Sequence, residues 1–285
     1  MTAGGPLINL GDLSKPATVL VEKVCNAVGV VYEPTRIRRK AHAEADASKI
    51  AALAQIDLKD IERRALERLV HQEGRKQENI ESITAQAANL LPPEANVEAL
   101  DEDWVAHFFK QCDSVSDKEM QSLWSRLLVG EATTPGTFSK RTVNFVSTID
   151  KKDAALFTNF CQFAWMLGDL CPLIYELQSE IYTAHGINFT SLKHLDSIGL
   201  ISFESVSGYQ REGFGKYIHA FYYGRPTLLE FPADKGNNLE IGHVLLTATG
   251  RELAPICGSS RNQTFYEYVI DYWFKRGLIL STIRQ

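Results

Sequence analysis

Histidines, cysteines and a few carboxylates are the residues of this 285-residue chain whose types could do chemistry. The seven histidines, His42, His71, His107, His185, His194, His219 and His243, form neither an HExxH nor an HxH pair. The five cysteines, Cys25, Cys112, Cys161, Cys171 and Cys257, contain no CxxC. A zinc site asks for paired ligands of these types at short spacing, so no metal is expected. The cysteines are odd in number and stand beside apolar residues, as in Phe160-Cys161 and Leu170-Cys171. They read as free buried thiols of a reducing compartment. Glu131 and Asp153 can be imagined as paired carboxylates, but nothing in the sequence makes them meet. A helix cap, or a buried ion pair with Arg126 or Arg141, is the expected role. Gly213-Phe214-Gly215-Lys216 lacks the GxxxxGK[ST] spacing and the strand-to-helix setting of a phosphate-cradling loop, so a hairpin turn or wing tip is expected there. No GxSxG nucleophile elbow occurs. The chain is therefore expected to have no catalytic residues, cofactor or metal, and not to be an enzyme.

What remains is surface. Glu131 to Arg141 is the most unusual local string. As a tight helix–helix connection, Pro135-Gly136 makes its turn, Phe138 anchors it, Ser139 caps the next helix and Arg141 pairs with an acid. As a partner or ligand surface, Glu131, Pro135, Phe138 and Arg141 are its contact residues, since loops on rigid scaffolds carry function. Near the N-terminus Val21, Val24 and Val28 share a helical face, followed by the basic group Arg36, Arg38, Arg39 and Lys40. That combination suits an anionic membrane surface. It equally suits a helix buried in a bundle or an oligomer interface, because so apolar a helix must be covered by something. A net charge of -5 disfavours a nucleic-acid polyanion as general partner.

The elements follow from pattern and punctuation. Ser14 and Pro16 start a helix over Ala17–Val31 that Pro34 ends. Ile50, Leu53, Ile56, Ile61, Leu66, Leu69 and Val70 predict one long amphipathic helix, or two with a break near Asp57 or Gly74; the narrow stripe suggests a coiled-coil or bundle element. Pro92-Pro93 is the first clear boundary. Acidic residues around Asp101 suit the first turn of a helix carrying Trp104, Phe108 and Phe109. Ser116-Asp117-Lys118-Glu119 reads as a capping box before Met120, Leu123, Trp124, Leu127 and Leu128, with Gly130 as terminator. Helices with Val143, Val146 and Ile149, and with Leu156, Phe157, Phe160, Phe163 and Met166, complete a bundle up to Leu170. Beyond Pro172 come a helix over Leu173–Thr183, a short helix over 190–198, strand candidates at Leu200–Phe203, Tyr217–Tyr223, Thr227–Phe231 and Ile241–Leu246, a short helix at Thr249–Leu253, and a last helix over Thr264–Gly277.

Two resemblances rest on these residues. A helix ending in Leu-x-x-Ile-Gly-Leu-Ile (Leu195 to Ile201), then strands, then Leu-Thr-x-x-Gly-x-Glu-Leu (Leu246 to Leu253), resembles a winged-helix module. That resemblance implies a recognition helix and wing, for which Lys193, Arg211 and Lys216 are the candidate nucleic-acid contacts. On the helix Asp196 opposes Lys193 and His194, and so few cations are thin for phosphate neutralisation. Trp124 to Glu131, Pro135-Gly136-Thr-Phe138-Ser139-Lys-Arg141-Thr142 and Asp153-Ala154-x-x-Phe157 together resemble the signature of an uncharacterised bacterial family. The layout is also similar to the Abi-alpha abortive-infection proteins, which implies phage defence.

The expected fold is mainly α: an N-terminal hydrophobic helix (1–35), a long amphipathic helical region (36–93), a helical bundle (94–172) and a small α+β winged-helix-like domain (173–285). The expected function is that of a non-enzymatic interaction or sensor protein acting through a protein partner, with homo-oligomerisation and peripheral membrane contact as further associations and anti-phage defence or a stress system as the setting. The alternative is a winged-helix DNA-binding regulator. Without a signal peptide or an apolar run long enough to span a bilayer, the expected location is cytoplasmic, with the inner-membrane surface as the peripheral contact.

Overall fold

The computed structural model describes residues 13–29 and 60–282. Arg36, Arg38, Arg39 and Lys40, and the stripe positions Ile50, Leu53 and Ile56, lie outside the described residues. The chain is mainly helical and divides into two compact units, Met1–Ser147 and Thr148–Gln285. The expected boundary at 172 falls at the last residue of a strand inside the second unit. No helix among the described residues is long and apolar enough to cross a membrane.

In the first unit, helix α1 (Lys15–Val28) is capped by the Ser14 side chain, which accepts the Ala17 N–H. It stops short of the expected Val31, because Gly29 turns left-handed (φ 70°) and returns its N–H to the Cys25 carbonyl. Ala17, Leu20, Val21 and Val24 are buried, each large one contributing roughly 1.5–3 kcal/mol. They pack on helix α2 (Asp60–Leu90), on a 3-10 turn at Val97–Ala99 and on helix α3 (Glu102–Cys112). Helix α2 is continuous through Gly74. Its C-terminal half buries Asn79, Ile83, Thr84, Ala87 and Ala88. Its first four turns are exposed and carry i,i+3 and i,i+4 ion pairs between Asp60, Arg63, Arg64 and Glu67.

Asp101 caps α3 through the Trp104 N–H. Trp104, Phe108 and Phe109 then build an aromatic core with Trp124 of helix α4 (Lys118–Thr133). The cap of α4 is Asp117, whose carboxylate accepts the N–H groups of Glu119 and Met120 at 3.0 Å each. This corrects the expected Ser116 box: the Ser116 hydroxyl lies beside Arg75 and Asn79 instead. Helix α4 also runs past Gly130, the expected terminator, to Thr133. Helix α5 (Lys140–Thr148) closes the unit with Val143 and Val146 inward.

The second unit opens with helix α6 (Lys151–Cys161), which ends before Phe163 and Met166, the residues expected to continue it. Strands β1 (Ala164–Leu167) and β2 (Asp169–Pro172) form a hairpin instead. Short apolar runs fit either period, and Gly168, with φ 84°, makes the turn between the two strands. Of the expected Leu173–Thr183 helix only α7 (Glu180–Thr183) forms. Leu173, Ile174 and Tyr175 are buried outside any helix, and the Tyr182 hydroxyl donates to the Leu173 carbonyl at 2.9 Å. Then follow α8 (Phe189–Ser197), β3 (Ile201–Phe203), β4 (Tyr209–Phe214), β5 (Tyr217–Tyr222), β6 (Arg225–Glu230), β7 (Asn237–Gly242), β8 (Val244–Leu246), α9 (Ala248–Leu253), α10 (Gln263–Lys275) and β9 (Ile279–Thr282). Strands β4 and β9 were not anticipated.

Pairing between the named strands is antiparallel, and an isolated bridge between Ile174 and Gly242 is parallel. A five-stranded sheet has the order β2-β1-β5-β6-β9, and two-stranded ribbons join β3 to β8 and β4 to β7. Helix α10 covers one face of the large sheet: Trp165 stacks on Tyr222 and Tyr266 and meets Trp273 edge-on. By strand alternation, Met166 of β1 and Phe221 of β5 point to the opposite face.

Candidate functional site

Glu131 stands near the end of α4, 3% exposed. One of its oxygens accepts the Gly136 N–H at 2.7 Å and the other the Phe138 N–H at 2.8 Å. The Phe138 carbonyl in turn accepts the Trp104 indole N–H at 2.8 Å. The Phe138 ring lies over Gly130, where a Cβ would come within 2.5 Å of it. Ser139 caps α5 by accepting the Thr142 N–H. These are the contacts of a tight helix–helix connection. The partners of Glu131 are backbone amides, which corrects the expected pairing with Arg126 or Arg141. Pro135 is half-buried, and Arg141 is exposed and takes no part.

The other candidates among the described residues are likewise engaged within the fold. Val21 and Val24 are buried in the first unit and Val28 is half-buried against them, so this face of α1 is covered by its own chain. Lys193 reaches Asp196 and lies over the Phe203 ring. Arg211 donates to the Leu167 carbonyl at 2.6 Å and pairs with Asp169, bracing the β1–β2 turn. Lys216 pairs with Asp234. Asp153 faces His194 at 2.7 Å. Each of Lys193, Arg211 and Lys216 thus faces a carboxylate within the fold. Among the described residues, no group of three or more His, Cys, Asp or Glu is arranged to hold a metal.

A concave site exists elsewhere in the second unit. A cleft of about 400 Å³ lies between the β5–β6 turn, the β1–β2 hairpin and the loop after α9. Met166 and Phe221, cross-strand partners in the register, are each 40% exposed at its mouth. Cys161 and Ala164 form its buried side, and Pro255, Gly258 and Ser259 its far wall. Tyr223 forms a further wall: its hydroxyl meets the Ser259 hydroxyl at 2.5 Å and donates to the Cys161 carbonyl at 3.4 Å. Burial pushes the Tyr223 hydroxyl up from its usual titration range, with the Ser259 hydrogen bond opposing. Burial likewise pushes the Cys161 thiol well up, and the adjacent Cys257 thiol adds to it. The Cys161 thiol therefore stays protonated and is no nucleophile at neutral pH.

A family model described as Protein of unknown function (DUF2806) matches residues 63–270. The chain belongs to that family. No curated protein and no solved structure matches it. The DUF2806 match meets the expectation of an uncharacterised family; the Abi-alpha likeness has no counterpart among these comparisons. In this DUF2806 chain every residue of the cleft, from Cys161 to Ser259, falls inside the matched span, whereas α1 and β9 fall outside it. Sequence reasoning noticed Cys161 and Met166 only as core positions. The missed signal was local: Tyr223-Gly224 sits between two strand-forming runs, where a two-residue hairpin turn belongs.

Proposed function

We propose that this chain is a non-enzymatic interaction or sensor protein whose working surface is the cleft of the second unit and the apolar sheet face beside it. One observation carries the reading: Met166, Phe221 and Tyr223 leave large apolar side chains in solvent around a single concavity, whereas Glu131, Lys193, Arg211 and Lys216 are spent on internal bonds. Exposed apolar side chains grouped at a concavity mark recognition sites. A protein partner is the favoured occupant of the sheet face, and its aromatic and thioether side chains are typical of such contacts.

The finer architecture supports a winged-helix-like reading. Helix α8 leads into β3, and β3–β4 and β7–β8 form the two arms of one interrupted hairpin before α9. A DNA-binding role for it is disfavoured, since Lys193, Arg211 and Lys216 each face a carboxylate. Self-association is a second contact, supported by Ile61, Leu69 and Val70 on the exposed turns of α2. A lipid contact through α1 is disfavoured by the burial of Val21 and Val24.

The test is capture of the tagged full chain from its native host, with and without phage infection, read by mass spectrometry beside a Phe221→Glu variant. A defined partner held by the wild type and lost in the variant supports the reading. Identical partner sets for the two proteins sink it.

A further inference from the structure

We infer that the cleft of the second unit binds a small, uncharged, mainly apolar molecule carrying one hydrogen-bonding group; this deepens the sensor reading above and rests on it. The volume of about 400 Å³ is in the range of small-molecule sites. Its lining contains no Asp, Glu, Lys, Arg or His. A charged ligand would shed its hydration there and find no counter-charge, so neutrality is imposed by desolvation. The Met166 thioether and the Phe221 ring supply a mouth that adapts to an apolar body. The polar end of the site is the Tyr223–Ser259 hydroxyl pair. With the Tyr223 hydrogen on the Cys161 carbonyl and the Ser259 hydrogen on Tyr223, the pair keeps acceptor lone pairs for one incoming N–H or O–H.

The backbone supplies a second, independent reason. Tyr222 pairs directly with Arg225, so Tyr223 and Gly224 alone make the β5–β6 turn. Both have positive φ, 47° and 79°. That is the setting of a primed hairpin turn, which prefers Asn-Gly. Tyr223 is the one described non-glycine residue with positive φ. A bulky aromatic pays strain at such a position, and strain of this kind gathers at ligand clamps. Its ring and hydroxyl are what the position gains, and both face the cleft.

The probe is N-phenyl-1-naphthylamine, a neutral fluorophore, titrated into the full chain beside 1-anilinonaphthalene-8-sulfonate, which has the same ring frame with an added anion. The neutral probe is expected to saturate at one molecule per chain and to bind at least about tenfold tighter than the sulfonate. Met166→Glu is expected to weaken it by about tenfold or more, and Met166→Leu by less than about threefold. Tyr223→Asn, which suits the turn, is expected to weaken the probe while the thermal midpoint is kept. Failure to saturate, or equal binding by wild type and Met166→Glu, overturns the inference. Equal affinity for the two probes overturns the uncharged class. A chain that captures its protein partner yet leaves the neutral probe free loses this inference alone; one that binds the probe but no partner loses the partner reading alone.

Discussion

The buried carboxylate of Glu131 accepts the backbone N–H of Phe138 at 2.8 Å, from the same helix whose Gly130 leaves room for the Phe138 ring. Side chain and backbone thus fix the α4–α5 connection from both ends. Glu131→Gln turns an amide donor toward one of the two N–H groups. It is expected to cost about 2 kcal/mol, the range for a buried hydrogen bond to a charged group. Denaturant unfolding of the variant checks this; a midpoint equal to wild type would instead return Glu131 to the status of a surface residue.

Gly130→Ala sets two effects against each other. Helix propensity favours alanine by about 1 kcal/mol. The added Cβ would lie 2.5 Å from the Phe138 ring, and overpacking of this kind costs roughly 1–3 kcal/mol. Net destabilisation of about 1 kcal/mol is expected, relieved in the double variant with Phe138→Leu, and thermal melts of the pair measure both.

At the β5–β6 turn, Tyr223→Asn releases backbone strain of roughly 1 kcal/mol. It also removes the hydrogen bonds of the Tyr223 hydroxyl to Ser259 and Cys161, at about 1 kcal/mol. Stability is therefore expected to stay within about 1 kcal/mol of wild type. A much larger loss in a chemical melt would mean that the tyrosine is there to hold the fold.

Alkaline pH should weaken the protein through its buried thiols. Burial holds the folded thiols of Cys161 and Cys112 above their ordinary value of 9.0. Their contribution is whole below that value and is lost as pH rises through it, because only the unfolded chain then releases the protons. Each thiol is expected to remove about 1.4 kcal/mol per pH unit above pH 9. Unfolding free energies at pH 8, 9 and 10 should fall less steeply for Cys161→Ala than for wild type.

The exposed half of α2 carries Ile61, Leu69 and Val70, 67%, 52% and 51% exposed. Light scattering after size exclusion is expected to give an oligomer for the wild type and a monomer for the triple lysine variant, with equal helicity. A monomeric wild type would remove α2 as an association element.

Much of the first unit was legible because its helices are amphipathic and punctuated. Trp124, Leu127 and Leu128 repeat at helical spacing and are buried as that spacing predicts. The α4 cap was misassigned by one residue, since Ser116 and Asp117 are both good acceptors and only geometry chooses between them. In the second unit β1 and β2 are four residues each, too short for period to separate strand from helix. Strand β4 is polar and largely exposed, so its existence depends on pairing with β7 and not on its own propensity. The cleft was illegible for a related reason: Cys161, Tyr223 and Ser259 meet only after the sheet has formed, and each alone looks like ordinary core or turn.

The strand order β2-β1-β5-β6-β9 also sets a schedule for synthesis. The β1–β2 and β5–β6 hairpins are local and can close as they emerge. Strand β4 must wait for β7, which follows the β5–β6 hairpin. Until Ile279–Thr282 arrives, the outer edge of β6, from Thr227 to Glu230, has no partner strand. Unpaired edges of this kind template aggregation. At about 5–20 residues per second, the stretch from Glu230 to Ile279 leaves that edge open for several seconds on the ribosome. The β6 edge is thus the last in this sheet to find its partner, after the strands on its other side have paired.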